Sequence, residues 1–187
     1  MRELALHILD LVQNSLEAGA SRVLLEIIED SSADTLTIRV ADNGRGMDAA
    51  TKRRVLDPFV TTRKTRRVGL GLPLIDMSTK QCGGYLRINS AAGEGTVVEA
   101  AYRRSHLDRP PLGNLVETVK VLVIANPDTD FVYRHAVDGA AFELATSELT
   151  GILGDMPLTH PDVIGWLNEY LAANEANLYG GVRHENG

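Results

Sequence analysis

The chain has 187 residues, of which 44% are hydrophobic and 24% are charged, a composition typical of a soluble globular protein. It contains no apolar run of about eighteen residues, so we expect no transmembrane helix, and its first residues lack the apolar block of a signal peptide. The single cysteine, Cys82, excludes an intrachain disulfide. These features predict a soluble, cytoplasmic protein.

The formal charge of −6 is unevenly distributed along the chain. Residues 1–104 contain 15 Lys and Arg against 13 Asp and Glu, whereas residues 105–187 contain 4 against 12. Because contacts with nucleic-acid phosphates need a basic surface, nucleic acid is a poor candidate partner. The basic excess of the first part is concentrated in residues 63–67, beside a glycine-rich stretch, which favours contact with a phosphate group.

Hydrophobic periodicity predicts the elements of the first hundred residues. Leu4, Ile8 and Leu11 recur on one side of an amphipathic helix over residues 2–18. The next elements are predicted strands at 21–29 and 35–41, a short helix at 48–57, a helix at 72–82, and strands at 85–90 and 95–102.

The remainder of the chain contains shorter predicted elements separated by Pro, Gly and Asp. They are strands at 116–126, 130–137 and 140–146, followed by helices at 147–153 and 161–173. We therefore predict a first domain over residues 1–104, a linker over 105–115, a small hairpin-and-helix appendage over 116–179, and a disordered tail over 180–187.

Asp10 and Asn14 lie four residues apart in the first predicted helix, so they share one face. An amide oxygen is a suitable ligand for Mg²⁺. A carboxylate one turn away could position or deprotonate a group that attacks a γ-phosphate. The alternative is that both residues simply form the solvated side of an amphipathic helix.

The segment DNGRGM follows the second predicted strand. Asp42 at the end of that strand could accept the exocyclic amine of adenine, and Gly44 and Gly46 would let the backbone before Met47 approach a ligand. The alternative is an Asx turn that closes the strand. Farther along, Thr96 follows a glycine turn at the start of a strand, where a tight turn is the alternative interpretation.

A loop rich in Thr, Arg and Gly precedes the helix at 72–82. The start of a helix offers unpaired N–H groups and the positive end of its dipole to phosphate, and the loop adds further donors and positive charge. A flexible loop is the alternative. The residues expected to contact the nucleotide here are Thr61, Thr62, Arg63, Lys64, Gly69, Leu70, Gly71 and Leu72.

Taken together and in this order, the segments resemble the GHKL superfamily of ATPases. This superfamily includes gyrase-type topoisomerases, heat-shock chaperone ATPases, histidine kinases and mismatch-repair ATPases. The resemblance runs from about residue 4 to residue 102. HILDLVQNSLEAGAS is similar to the N box, DNGRGM to the first glycine box, DPFVTTRK to the phenylalanine box and lid, GLGLPLI to the second glycine box, and GEGTVVEA to the terminal turn.

This resemblance implies the Bergerat ATP-binding fold, an α/β (α+β) two-layer sandwich in which helices cover one face of a mixed sheet. It implies that Asn14 holds Mg²⁺ beside ATP, that Asp42 binds adenine with support from Thr96, and that residues 60–68 form a mobile lid. Asp10 takes the position of the catalytic carboxylate, where the hydrolysing branches usually have the longer Glu and histidine kinases often have Asn.

The chain is most similar to the ATP-binding domain of histidine kinases, without the dimerisation and phosphoacceptor domain that precedes the N box in those enzymes. One expected function is therefore Mg²⁺- and ATP-dependent phosphoryl transfer to a partner protein in trans, or slow ATP hydrolysis. The alternative is a non-catalytic switch in which ATP alters how the C-terminal segment meets a partner. A degenerate domain that binds no nucleotide is a weaker third possibility, and the oligomeric state is left open.

Overall fold

A computed structural model describes residues 3–57 and 71–180 of the chain. Within these residues there are six helices and six strands, and the strands form one sheet. The helices are α1 (Leu4–Glu17), α2 (Ala49–Arg54), α3 (Gly71–Gln81), α4 (Leu115–Ala125), α5 (Thr146–Leu153) and α6 (Pro161–Gly180). The strands are β1 (Arg22–Asp30), β2 (Thr35–Asp42), β3 (Tyr85–Ala91), β4 (Gly95–Arg103), β5 (Asp130–Val137) and β6 (Ala140–Ala145).

The sheet has the strand order β3-β4-β2-β1-β5-β6. Neighbouring strands are antiparallel except for β1 and β5, which run parallel over eight residue pairs. The sheet is therefore mixed, and the β5–β6 hairpin continues it beyond β1. The C-terminal strands thus share a sheet with the N-terminal ones, while the predicted division of the chain into domains stays a prediction.

Burial alternates along β2 and β3, as expected where helices cover one face of the sheet. On β2, Leu36, Ile38 and Val40 are buried, whereas Thr37 and Arg39 on the other face are only half-buried. The buried residues belong to one core that includes residues of α1, α3, α4 and α6. The predicted mixed sheet with helices on one face is confirmed.

The prediction of a strand at residues 116–126 is wrong. They form α4, and the side chain of Asn114 caps the helix by accepting a hydrogen bond from the backbone N–H of Glu117 at 3.0 Å. Leu115, Val119 and Leu122 are buried at helical spacing. Packing of this face against α1 and α6 outweighs the strand preference of β-branched residues.

Helix α6 continues to Gly180, seven residues beyond the predicted end at 173. Its last turns are held by Glu175 and Tyr179, whose side chains bond to groups on the sheet. The other predicted elements agree with the structure to within a few residues. The disordered tail predicted from residue 180 lies outside the described residues apart from Gly180, which ends α6. None of the helices in residues 3–57 and 71–180 has the length and apolar character needed to cross a membrane.

Candidate nucleotide-binding site

Asp42 ends β2, and its carboxylate receives three hydrogen bonds. The hydroxyl of Ser15 donates to Oδ2 at 2.6 Å, while the backbone N–H groups of Gly44 and Thr96 donate to Oδ1 at 2.9 and 3.2 Å. A carboxylate has about four lone-pair sites for hydrogen bonds. The three donors therefore hold the half-buried carboxylate in one orientation and leave acceptor capacity for one more donor, such as an amine.

The glycines around Asp42 are required by the packing of the chain itself. A Cβ atom on Gly46 would overlap the carbonyl oxygen of Ala91, and Gly46 has a φ of +64°. On Gly44, a Cβ atom would lie 2.9 Å from Ala18. We expected these two glycines to let the backbone approach a ligand. The structure shows that both positions must be glycine because neighbouring atoms leave no room for a Cβ atom. Contact of these glycines with a ligand stays a prediction.

A second set of hydrogen bonds joins the glycine segment, residues 42–47, to β3 and β4. Thr96 lies opposite Asp42 in the register of β2 and β4, and its hydroxyl is 2.9 Å from that of Ser90. The Ser90 hydroxyl also accepts the backbone N–H of Met47 at 2.8 Å. Asp42, Met47 and Thr96, which were all predicted as site residues, are therefore brought together.

Sequence reasoning missed Ser15 and Ser90, although both left a signal. Ser15 follows Leu11 by one turn and so occupies the apolar face of α1, where a polar residue needs a partner. Ser90 alternates with Leu86 and Ile88 on β3 and therefore points toward the same side of the sheet. A polar residue at a core-facing position indicates a hydrogen-bonding role, and both serines have this feature.

Asp10 and Asn14 are both half-buried on α1. A Cβ atom built on Gly71 would lie 3.5 Å from the Cβ atom of Asp10, so the N-terminus of α3 is beside Asp10. Leu72, the next residue of α3, packs against the core. Helix α1 thus contacts Asp42 through Ser15, near its C-terminus, and lies beside the start of α3 at Asp10, in its middle.

Six predicted site residues and the predicted lid at residues 60–68 lie outside the described residues. Their roles stay predictions. They are Thr61, Thr62, Arg63, Lys64, Gly69 and Leu70.

The donors on α1 fit the way proteins hold Mg²⁺ with a nucleotide. Residues 3–57 and 71–180 contain no group of three or more His, Cys, Asp or Glu side chains that could hold a metal. Mg²⁺ bound with a nucleotide usually takes only one or two protein oxygens, together with phosphates and water. An amide and a carboxylate on one helical face, beside the start of another helix, match that donor set.

A separate cluster of charged residues lies near the C-terminal end of β1, away from Asp42, which pairs with the first residues of β1. His135 is fully buried, and its Nδ1 is 2.9 Å from Glu175. Its Nε2 is 3.4 Å from Glu29, an ion-pair contact that is too long for a good hydrogen bond. Tyr133 donates to Glu175, and Tyr179 donates to Glu29.

Burial and charge act against each other on the pKa values in this cluster. Burial alone would lower the pKa of His135, but contacts with Glu175 and Glu29 outweigh it and raise the pKa to about 9. Burial would raise the pKa of Glu29, yet contacts with His135, Tyr179 and Arg104 lower it to about 2. Both residues are therefore charged at neutral pH.

The fold and the arrangement around Asp42 agree with the comparison to known families. Residues 2–105, more than half of the chain, match the family of histidine kinase-, DNA gyrase B- and HSP90-like ATPases. The chain belongs to this family, whose members have an ATP-binding domain. The predicted resemblance to GHKL ATPases is thereby confirmed.

Sensor kinases are among the similar curated proteins. The chain is 39% identical over 89 residues to the sensor protein kinase FleS of Pseudomonas aeruginosa, a match that covers 48% of this chain and 22% of FleS. It is 32% identical over 91 residues to sporulation kinase C of Bacillus subtilis, which covers 49% of this chain and 21% of the kinase. The chain therefore matches only about a fifth of the length of either relative.

A similar solved structure is the N-terminal domain of a DNA repair protein. The two structures superpose with a TM-score of 0.52 at 15% sequence identity, and the match covers 78% of this chain and 53% of the other. At this identity the comparison supports the fold alone.

Proposed function

We propose that the chain binds Mg²⁺ and ATP between α1, the end of β2 and the start of α3, and that it transfers the γ-phosphoryl group to a partner protein in trans. In the absence of an acceptor, slow hydrolysis replaces the transfer. The observation that carries the proposal is the arrangement of Asp42, held by three donors at the end of β2, on the same helix-lined side as Asp10 and the N-terminus of α3.

In this proposal each side chain has a separate role. Asp42 accepts the exocyclic amine of adenine, and Thr96 holds the carboxylate in place. The N–H groups at the start of α3 bind phosphate oxygens, together with the predicted donors of residues 61–72. Asn14 holds Mg²⁺, which when bound neutralises charge that develops on the phosphates.

Asp10 is the proposed catalytic carboxylate. The γ-phosphoryl group passes from ATP to the acceptor atom, ADP leaves, and the proton of the acceptor passes to the Asp10 carboxylate. Asp10 is one methylene shorter than Glu. That shorter reach predicts slow turnover without a loss of nucleotide affinity.

A single-turnover experiment with radiolabelled ATP and candidate acceptor proteins tests this role. We expect Asp10→Ala to abolish transfer and hydrolysis while ATP still binds. Gln13→Ala, on the exposed side of the same helix, is the matched control and should leave turnover unchanged. Equal rates in the wild type and Asp10→Ala would refute catalysis by Asp10.

A second measurement tests the metal ligand. Asn14→Ala should remove the gain in ATP affinity that Mg²⁺ produces, because Asn14 is the proposed metal ligand on α1 and Asp10 is assigned to the proton of the acceptor. Calorimetric titrations with Mg²⁺ and with EDTA give this difference directly. If the variant still binds ATP more tightly with Mg²⁺, Asn14 is not the ligand.

The alternative, a non-catalytic switch, has an observation of its own in favour. The backbone N–H groups of Leu4 and Ala5 in the first turn of α1 donate to the carbonyl oxygens of Pro111 and Leu112 at 2.8 and 2.9 Å. The helix that carries Asp10 and Asn14 is thus bonded to the segment that leads into the C-terminal half. Negligible turnover in the wild type, with ATP-dependent changes in hydrogen exchange at residues 105–125, would favour the switch.

A further inference from the structure

The face of the sheet that the helices leave open is crossed by a row of six charged residues, one from each strand, that lie directly opposite one another in the strand register. The sign alternates at each step. Read across the sheet from β3 to β6, this charged row is Arg87, Glu99, Arg39, Glu26, Arg134 and Glu143.

Within one molecule, neighbouring charges of the row pair with each other. Arg39 is 2.7 Å from Glu26, Arg134 is 3.6 Å from Glu26, and Arg87 is 3.9 Å from Glu99. Such cross-strand pairs stabilise a sheet modestly. The arginines nevertheless stay accessible, since the side chain of Arg87 is 72% exposed and that of Arg134 is 50% exposed.

The row has an even number of alternating charges, so it is antisymmetric about its centre, between β2 and β1. Consider a second copy placed face to face by a twofold axis that runs parallel to the strands through this centre. The axis reverses the row and places each positive charge opposite a negative one. Arg39 then faces Glu26 of the second copy, Glu99 faces its Arg134, and Arg87 faces its Glu143.

At the centre of the two rows that flank the charges, the same axis also brings residues of different size together. On one side, Ala41 of one copy faces Leu24 of the other, and on the other side Thr37 faces Ile28. In each case a small residue meets a larger one. Ile28 is 41% exposed although it is large and apolar, and together with Thr37 it lines a shallow cavity of about 410 Å³ on this face.

We propose that the open face of the sheet is the interface of a homodimer in which two copies pack sheet to sheet about a twofold axis parallel to the strands. Sheets pack in this aligned manner at about 10 Å separation, rotated by about 30°. The opposed charges are therefore closest near the centre of the row. An isologous interface of this kind needs a self-complementary surface, and the charged row supplies it.

The size of the face sets the strength of the association. Six strands spaced about 4.8 Å apart, over about five residues of strand length, cover on the order of 500 Å² per copy. The total of about 1,000 Å² is at the lower limit of specific interfaces. We therefore expect a reversible dimer whose specificity comes from charge. Asp10, Asn14 and Asp42 stay accessible in the dimer because α1 covers the other face.

Complementary charge reversals test the pairing of Glu99 with Arg134 of the second copy. In sedimentation equilibrium of the 187-residue chain, we expect the wild type to dimerise with increasing concentration. Arg134→Glu and Glu99→Arg should each weaken the dimer by about tenfold or more, since each creates two like-charged contacts. An equimolar mixture of the two variants should recover the wild-type affinity, because every contact in the mixed dimer is again between opposite charges.

Arg53→Glu and Glu148→Arg, two exposed reversals on α2 and α5, are matched controls and should dimerise like the wild type. If either sheet variant fails to fold by circular dichroism, Arg87→Glu and Glu143→Arg form a second pair on more exposed positions. A monomeric wild type up to millimolar concentration overturns the proposal. So does a mixture that associates no better than its separate variants, since a purely structural effect of the substitutions would not be rescued by mixing.

Discussion

At the scale of single residues, the candidate site depends on how firmly one carboxylate is held. Asp42 has donors from three parts of the chain, namely Ser15 on α1, Gly44 in the glycine segment and Thr96 on β4. A group fixed before the ligand arrives loses little conformational entropy on binding. This arrangement suits recognition of one amine in one direction, and it yields two predictions.

Asp42→Asn should weaken ATP binding by about ten- to a hundredfold, because a hydrogen bond to a charged group contributes about 1.5–3 kcal/mol. The side-chain NH₂ group of Asn would also point toward one of the groups that donate to the Asp42 carboxylate, so that two donors would face each other. Isothermal titration calorimetry measures the change. Asp155→Asn, an exposed substitution after α5, controls for the loss of one charge, and an unchanged affinity in Asp42→Asn would exclude the adenine contact.

Ser15→Ala should weaken ATP binding by a smaller factor, since Ser15 acts only by positioning Asp42. The test is a double-mutant cycle with Asp42→Asn. We expect the loss caused by Ser15→Ala to be much smaller when residue 42 is already Asn, because the hydroxyl then has no carboxylate to hold. Fully additive losses would show that Ser15 affects the site by another route.

At the scale of elements, the most consequential contact is that of α6 with the sheet. Glu175 in α6 bonds to Tyr133 and His135 on β5, and Tyr179 bonds to Glu29 on β1. Glu29, Tyr133 and His135 are buried, so each would be costly to leave without its partner. The cluster explains why α6 continues past residue 173, where the local sequence Asn-Glu-Ala-Asn alone favours a helix only weakly.

The same cluster predicts how stability depends on pH. The pKa of His135 is raised from 6.5 to about 9, so its contribution is fully present below pH 6.5 and is lost as the pH rises through about 9. The pKa of Glu29 is lowered from 4.5 to about 2, so its contribution is present above pH 4.5 and is lost as the pH falls through about 2.

Urea unfolding at several pH values between neutrality and pH 10 would measure the alkaline part of this effect. We expect the free energy of unfolding to fall through this range in the wild type. In His135→Gln, which cannot take up the proton, the fall should be much shallower. An equally steep fall in both proteins would mean that other groups cause it. Tyr133 and Tyr179 contribute little below pH 10, because burial and nearby carboxylates raise the pKa of both hydroxyls from the ordinary value of 10.0, so their contribution is lost only above that pH.

At the scale of the whole molecule, the question is whether the two halves of the chain fold together. Eight residue pairs join β1 to β5, and one core contains side chains from both halves, such as Leu25 and Ile27 from the first and Leu167 and Leu171 from the second. A shared sheet and core favour one cooperative unit. The sequence prediction of two separate parts joined by a linker is the competing view.

Denaturation followed by two probes decides between these views. Trp166, the only tryptophan, reports on α6, and hydrogen exchange of amides in β2 and β4 reports on the first half. We expect coincident transitions, and we expect residues 1–114 alone not to fold, because β1 would lose its partner on one side. Separate transitions, or a folded fragment, would support two independent domains.

Local sequence patterns were enough for most elements and for part of the site. Alternation on β2 and the spacing of Leu4, Ile8 and Leu11 on α1 each reflect one buried face, which neighbouring residues alone encode. Asp42 could be predicted because it ends such a strand before two glycines. Ser15 could not be paired with Asp42, since a separation of 27 positions in the sequence says nothing about their distance in space.

The amino-acid sequence by itself determined the family, the order of the nucleotide-binding segments and the alternating buried face of β2, because these depend on residue type and short-range period. Only the tertiary structure decided that residues 115–125 form a helix, that β5 pairs with β1 in parallel, and that six charges align across one open face. Those features depend on contacts between segments far apart in the chain, where burial and register outweigh local preference.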